Sequence, residues 1–209
     1  MILRVTAALV VALGLVALLA FLQVVGKAPW SPPAMRHLRA MKERTAAPDS
    51  IAPIAFADFD SLPARLSPAE CARIERRGVA LDCYVQRLLT ASDGDIHFEL
   101  VETPRTPARP DTAYVTAELT PQWAGGSAAW EFESLVALLR PMRGGAVPWP
   151  AGPRRARISG WLLDDFQNDE RPTAGAVESH RRRSDWEIHP ITRIELWSDS
   201  LGRFVDVPR

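Results

Sequence analysis

With 209 residues, 47% of them hydrophobic, the chain holds material for one packed domain and one extra segment. Its formal net charge is zero, yet Arg4, Lys27, Arg36, Arg39, Lys42 and Arg44 face only Glu43 within the first 44 residues, so the remainder is net acidic. That balance argues against a general polyanion binder, because non-specific nucleic-acid affinity comes from neutralising phosphates.

Val5 to Val25 is uncharged, broken only by Thr6, Gly14 and Gln23, and follows Arg4. Its length fits a membrane-spanning helix, and a signal-peptide core is usually shorter. A retained anchor is the first expectation over residues 1–26; a cleaved signal, with Val24 and Gly26 as small residues at the cut, is the second. The basic residues after the span favour a cytoplasmic domain by the positive-inside rule. A short N-terminal tail with a leading Arg favours export, which we take as the expectation. Residues 27–66, with Pro32, Pro33, Pro48, Pro53 and Pro63, read as a linker or stalk with a short helix around 35–42.

Ser67-Pro68-Ala69-Glu70 is a capping box with proline at the first helical position, so a short helix should start there and stop near Gly78. Alternation then predicts strands over 79–89, 95–101 and 112–119, with a hairpin turn at Asp93-Gly94. Trp130, Leu135, Val136, Leu138 and Leu139 form the buried stripe of a helix over 128–140. Strands follow over 155–163 and 185–197, separated by a polar loop, 164–183. Residues 201–209 read as a C-terminal tail.

The predicted fold is therefore mainly β. It is a five-stranded OB-like barrel over 67–200, with a helix between strands three and four. A short capping helix and an N-terminal transmembrane or signal helix precede it.

The last strand carries the best candidate site. Trp186, Ile188, Ile194 and Leu196 share one face, and Glu187, His189, Arg193 and Glu195 share the other. On the second strand Asp95, His97 and Glu99 likewise share a face. His97, His189 and Glu187 are candidate metal ligands, since two histidines and a carboxylate make a zinc-type set. A histidine beside a carboxylate is equally an acid–base unit, or simply a locally paired strand residue. Asp164 and Asp165 close the fourth strand and, with Asp169 and Glu170, offer further carboxylates at the lip of the loop. Arg181, Arg182 and Arg183, with Arg154, Arg155 and Arg157, form a basic cluster near Trp161 and Trp186, of which Arg183 is taken as a candidate ligand contact. Cys71 and Cys83 both fall on apolar faces; they are a candidate disulfide if the domain is exported, or two buried thiols. No nucleophile elbow, phosphate loop or dinucleotide motif occurs. No cofactor is expected apart from the candidate metal.

From Gly78 to Leu196 the chain resembles a group of poorly characterised bacterial OB-fold-like proteins. The matching pieces are Asp95-Ile96-His97, Val115-Thr116-Ala117-Glu118-Leu119-Thr120-Pro121, Ile158-Ser159-Gly160-Trp161-Leu162-Leu163-Asp164-Asp165 and, most specific, Trp186-Glu187-Ile188-His189-Pro190-Ile191-Thr192. Those proteins often have a histidine after the acid that ends the fourth strand, where this chain has Phe166-Gln167-Asn168. The resemblance implies an OB-type barrel and brings no known reaction.

Together these features predict a membrane-tethered or exported binding or scaffolding module of the bacterial cell envelope, anchored by residues 5–25 in the inner membrane and facing the periplasm. Its partner would be an envelope ligand or protein. Two other readings stand beside it: a metal-dependent hydrolase using His97, Glu187 and His189, and a cytoplasm-facing, membrane-tethered nucleic-acid binder.

Overall fold

The computed structural model describes residues 2–24, 31–64, 66–91, 93–105, 113–124, 130–143, 152–166 and 182–207. Two compact units result, Met1–Glu43 and Arg44–Arg209. The first holds α1 (Ile2–Val24) and α2 (Pro33–Lys42). α1 covers most of the expected span, and Val10, Val11, Leu13, Leu15, Val16, Leu18 and Phe21 lie exposed along it. Its side chains are described only over 10–22, and among the described residues no helix is long and apolar enough to cross a membrane. The expected cleavage residue Gly26 lies outside the described residues.

The second unit contains β1 (Ile51–Ile54), α3 (Phe56–Ser61), α4 (Pro68–Ile74), β2 (Gly78–Thr90), β3 (Ile96–Val101), β4 (Val115–Leu119), α5 (Pro121–Ala124), α6 (Phe132–Leu139), β5 (Met142–Arg143), β6 (Arg155–Asp164), β7 (Trp186–Ser198) and β8 (Arg203–Asp206). Five strands close a barrel in the order β2-β3-β4-β7-β6 and back to β2. All neighbours are antiparallel except β4 and β7, which run parallel through Ala117↔Ile188, with a further parallel bridge at Tyr114↔Arg182. α6 lies in the connection between the third and fourth barrel strands, as predicted; residues 128 and 129 of the predicted helix are outside the described residues.

The alternation read from sequence is the physical basis of the barrel. Val79, Leu81, Cys83, Val85 and Leu88 of β2 face the same interior as Phe98 and Leu100, Val115, Ala117 and Leu119, Ile158 and Leu162, and Ile188 and Ile194. Leu135, Val136 and Leu139 of α6 pack into it. Burying a side chain of this size contributes about 1.5–3 kcal/mol, so the core dominates the stability of the unit. Ile191 joins the core out of parity with its neighbours, and the β6–β7 ladder accommodates it by register shifts around Gly160.

Local signals hold where they were read. Glu70 accepts the backbone N–H of Ser67 at 2.9 Å and its hydroxyl at 2.6 Å, completing the capping box. Gly94 takes φ +93° at the β2–β3 turn, a value that favours glycine. α6 ends at Arg140, whose φ of 51° places it in the left-handed region while its N–H donates to Val136 O.

Two stretches differ from expectation. Within the expected linker, Ile51–Ile54 pairs parallel with the start of β2, and α3 buries Phe56 and Phe59 in the core. Proline 53 is tolerated because β1 is an edge strand. In the expected tail, β8 pairs with β7 and Val207 is buried.

Candidate functional site

Strand order decides which polar residues meet. β4 lies between β3 and β7, and Glu118 of β4 pairs directly with His97 of β3. The parallel pair Ala117↔Ile188 sets Glu118 beside Glu187 and His189, all three on the outer face of the wall. Asp165 follows β6, where Leu163 pairs with Glu187, and its N–H donates to Asp185 O at 3.0 Å. Asp95 immediately precedes β3.

The result is one cluster around Glu118. Its Oε1 lies 3.2 Å from His97 Nε2, and its Oε2 lies 3.0 Å from His189 Nε2. Asp95 Oδ2 approaches the same His189 nitrogen at 3.8 Å. The His189–Glu118 approach is close enough for an ion pair but is not aligned as a hydrogen bond, and His189 Nδ1 has no hydrogen-bond partner among the described residues. Glu187 Oε2 accepts from Arg182 Nη2 at 2.8 Å, while Glu187 Oε1 has no hydrogen-bond partner among the described residues. Glu118 is 1% exposed, and Asp165, Glu187 and His189 are 0% exposed.

Among the described residues, four carboxylates thus share one wall with the arginine Arg182 and the buried histidine His189. A buried charge is costly unless paired, so such a cluster holds protons or cations. Burial, then the charges of Glu118 and Asp165, push the Glu187 carboxyl up to about 8 against the opposing pull of Arg182 and His189. Burial alone would lower His189, but Asp95, Glu118 and Glu187 together raise it to about 9.

Both groups therefore bind protons more tightly folded than unfolded. Their stabilising contribution is full below the unfolded values of 4.5 and 6.5 and is lost as pH rises through about 8 and 9. Among the described residues, the groups facing them from other elements are Asp95, Glu118, Asp165 and Arg182. In chelator-treated protein the urea midpoint should fall between pH 5.5 and pH 9, and should fall less in Glu187→Gln. A midpoint that is flat or rises over that interval contradicts this account.

Two ligand-like groups lie within the cluster. Asp95, Glu118 and His189 place donor atoms within 4.8 Å of one another, and so do Glu118, Asp165 and Glu187. Carboxylate oxygens with one imidazole suit manganese, iron or zinc better than soft-metal chemistry. His97 reaches Glu118 from outside both groups.

The other predicted site residues separate. Asp164 turns away from Asp165 and accepts from Cys71 Sγ at 3.5 Å, while its N–H donates to Glu75 at 3.2 Å. Burial and the neighbouring acids raise both Asp164 and Cys71, the latter to about 12. Arg183 forms a two-pronged ion pair with Asp60, both bonds 2.7 Å. Arg182 is the arginine that enters the cluster. Arg181, Asp169 and Glu170 lie outside the described residues, as do 167–181 of the predicted loop. The candidate disulfide is corrected: Cys71 and Cys83 are free buried thiols. Cys71 sits against Asp164 and Cys83 pairs with Ala156, eight residues back along β6 and roughly 26 Å away at strand rise.

A groove of about 610 Å³ opens elsewhere, over β1 and the adjoining walls of β2, β6 and β7. Pro53, Phe56 and Ala80 are among its apolar lining residues, and Asp82, Arg157 and Arg193 among its polar ones. Arg157 is held by Asp82 at 2.6 Å and Arg193 by Asp206 at 2.6 Å.

Comparison with protein-family models, with curated proteins and with solved structures returned no match. The chemistry of the clustered side chains therefore carries the functional reading.

Proposed function

We propose that the chain is a membrane-tethered or exported binding module of the bacterial cell envelope, built on an OB-type barrel that holds a divalent metal in its wall. The OB assignment is supported by the strand order, by the parallel closure of β4 on β7 and by α6 between the third and fourth barrel strands. Tethering is supported by the apolar run of α1 after Arg4. The observation that carries the metal reading is Glu118, whose carboxylate joins His189 and Asp95 across three strands. A cation there would staple β3, β4 and β7 at the seam where the barrel closes.

A binding or scaffolding role is preferred to hydrolysis on one physical ground. A catalytic metal keeps a coordination position open to substrate, and here Glu118, Glu187 and His189 are buried. The 610 Å³ groove has the size of a small-ligand site and is the place we assign to the envelope ligand. The acidic balance of residues 45–209 weighs against nucleic acid.

Elemental analysis of the full chain, purified in detergent, tests this. At least one equivalent of a divalent transition metal is expected, and the metal content should fall in both Glu118→Gln and His189→Ala. Metal-free protein that also fails to take up manganese or zinc on dialysis overturns the metal reading. A C-terminal reporter fusion active only in the cytoplasm overturns the envelope reading.

A further inference from the structure

We infer that the wall holds two cation positions bridged by Glu118: one formed with Asp95 and His189, the other with Asp165 and Glu187. This rests on the metal reading above and extends it from one ion to a binuclear centre.

Three observations lead there. The two convergent donor groups have Glu118 in common and otherwise use different residues. A carboxylate has two oxygens with separate lone pairs, so one glutamate serves two ions. The Glu118 oxygens already face different partners, His97 at Oε1 and His189 at Oε2.

The second group has its own pointer to a ligand. Glu187 is fully buried, and its Oε1 has no hydrogen-bond partner among the described residues. Leaving a buried carboxylate oxygen unsatisfied costs free energy, so a native arrangement of this kind calls for a partner. Arg182 engages the other oxygen, Oε2, at 2.8 Å and also donates to Asp185 O at 3.1 Å. That is the arrangement of a ligating carboxylate whose second oxygen is oriented by an outer hydrogen bond. Arg182 thus acts as the positioning residue for the second position.

Charge among the described residues is compatible with two ions: four carboxylates, Asp95, Glu118, Asp165 and Glu187, stand against Arg182, and two divalent ions with one hydroxide between them balance that set while His189 stays neutral. Four carboxylates and one imidazole suit Mn²⁺ or Fe²⁺. Binuclear centres place their ions about 3.5–4 Å apart, a spacing that a single bridging carboxylate sets.

The test uses the full chain in detergent, stripped with chelator and dialysed against Mn²⁺. The wild type should hold two Mn²⁺ per chain with the multiline paramagnetic resonance spectrum of a coupled pair. Asp165→Asn and Glu187→Gln should each hold one Mn²⁺ with the six-line spectrum of an isolated ion. Arg182→Gln should weaken the second position alone by tenfold or more. Circular dichroism melts confirm that these near-isosteric variants are folded. One uncoupled Mn²⁺ in the wild type overturns the inference while leaving the metal reading intact. Two ions without coupling overturn the bridging role of Glu118. No bound ion overturns both readings.

Discussion

Truncating Glu118 to alanine in the chelator-treated protein is expected to cost about 3–5 kcal/mol at pH 7, the range for breaking one side of a buried ion pair. The loss arises at His189, which is 0% exposed and would keep the Asp95 carboxylate, at 3.8 Å, and the more distant charge of Glu187. Relief of repulsion at Glu187 and Asp165 offsets part of it, since both sit beside the same carboxylate. The double replacement Glu118→Leu with His189→Leu should recover most of the loss, because exchanging both members of a buried pair for apolar groups is often neutral. Urea titration of the four corners of this cycle measures the coupling. A single-variant cost under about 1 kcal/mol, or a double variant as costly as the sum of the singles, would show that Glu118 and His189 do not act as a pair. Adding metal extends the test: at a hundred times its dissociation constant, one ion stabilises the wild type by about 2.7 kcal/mol and should leave the alanine variant unmoved.

How the cluster escaped the sequence shows what alternation alone conveys. The faces of Asp95 and His97, and of Glu187 and His189, are legible because period two assigns them within their own strands. Glu118 has the same signature, one acid between Ala117 and Leu119, but nothing within β4 itself marks it out. Its importance depends on which strand stands between β3 and β7, a property of barrel closure rather than of any strand. The same period separates residues that look paired in the text. Asp164 and Asp165 are adjacent, so one turns to Cys71 and the other to the cluster. Arg182 and Arg183 divide in the same way, between Glu187 and Asp60. The five barrel strands and the α6 stripe are legible because each shows an apolar pattern of its own period. β1, α3 and β8 are not: β1 and β8 are four residues long and largely exposed, and α3 is a single short turn-and-a-half. Their order comes from edges and core surface supplied by the barrel.

Gly160 has no room for a side chain, and Gly160→Ala is expected to destabilise the barrel by about 4 kcal/mol or more, beyond the about 1–3 kcal/mol usual for an over-packed core. Gly160 pairs with Val79 on one side and Ile191 on the other, within the register shifts of β6 and β7. A Cβ there would stand 2.3 Å from Pro190 O and 2.8 Å from Ile188 Cγ2. The first neighbour is backbone and has no rotamer to adopt, so relief requires β7 to move away from β6. Ile188 would have to yield as well, and it is fully buried in the core. Pro190 follows His189 directly, so any displacement reaches the metal wall, and the variant should lose metal affinity along with stability. Gly202→Ala is the matched control: its φ of +59° carries strain of about 1–2 kcal/mol, but nothing lies within 4 Å of the added carbon. Thermal and urea unfolding of the pair should separate them by at least about 2 kcal/mol, with Gly160→Ala the weaker. Equal midpoints would mean that β6 and β7 adjust freely at this seam, and that the close approach of their backbones does not hold His189 in place.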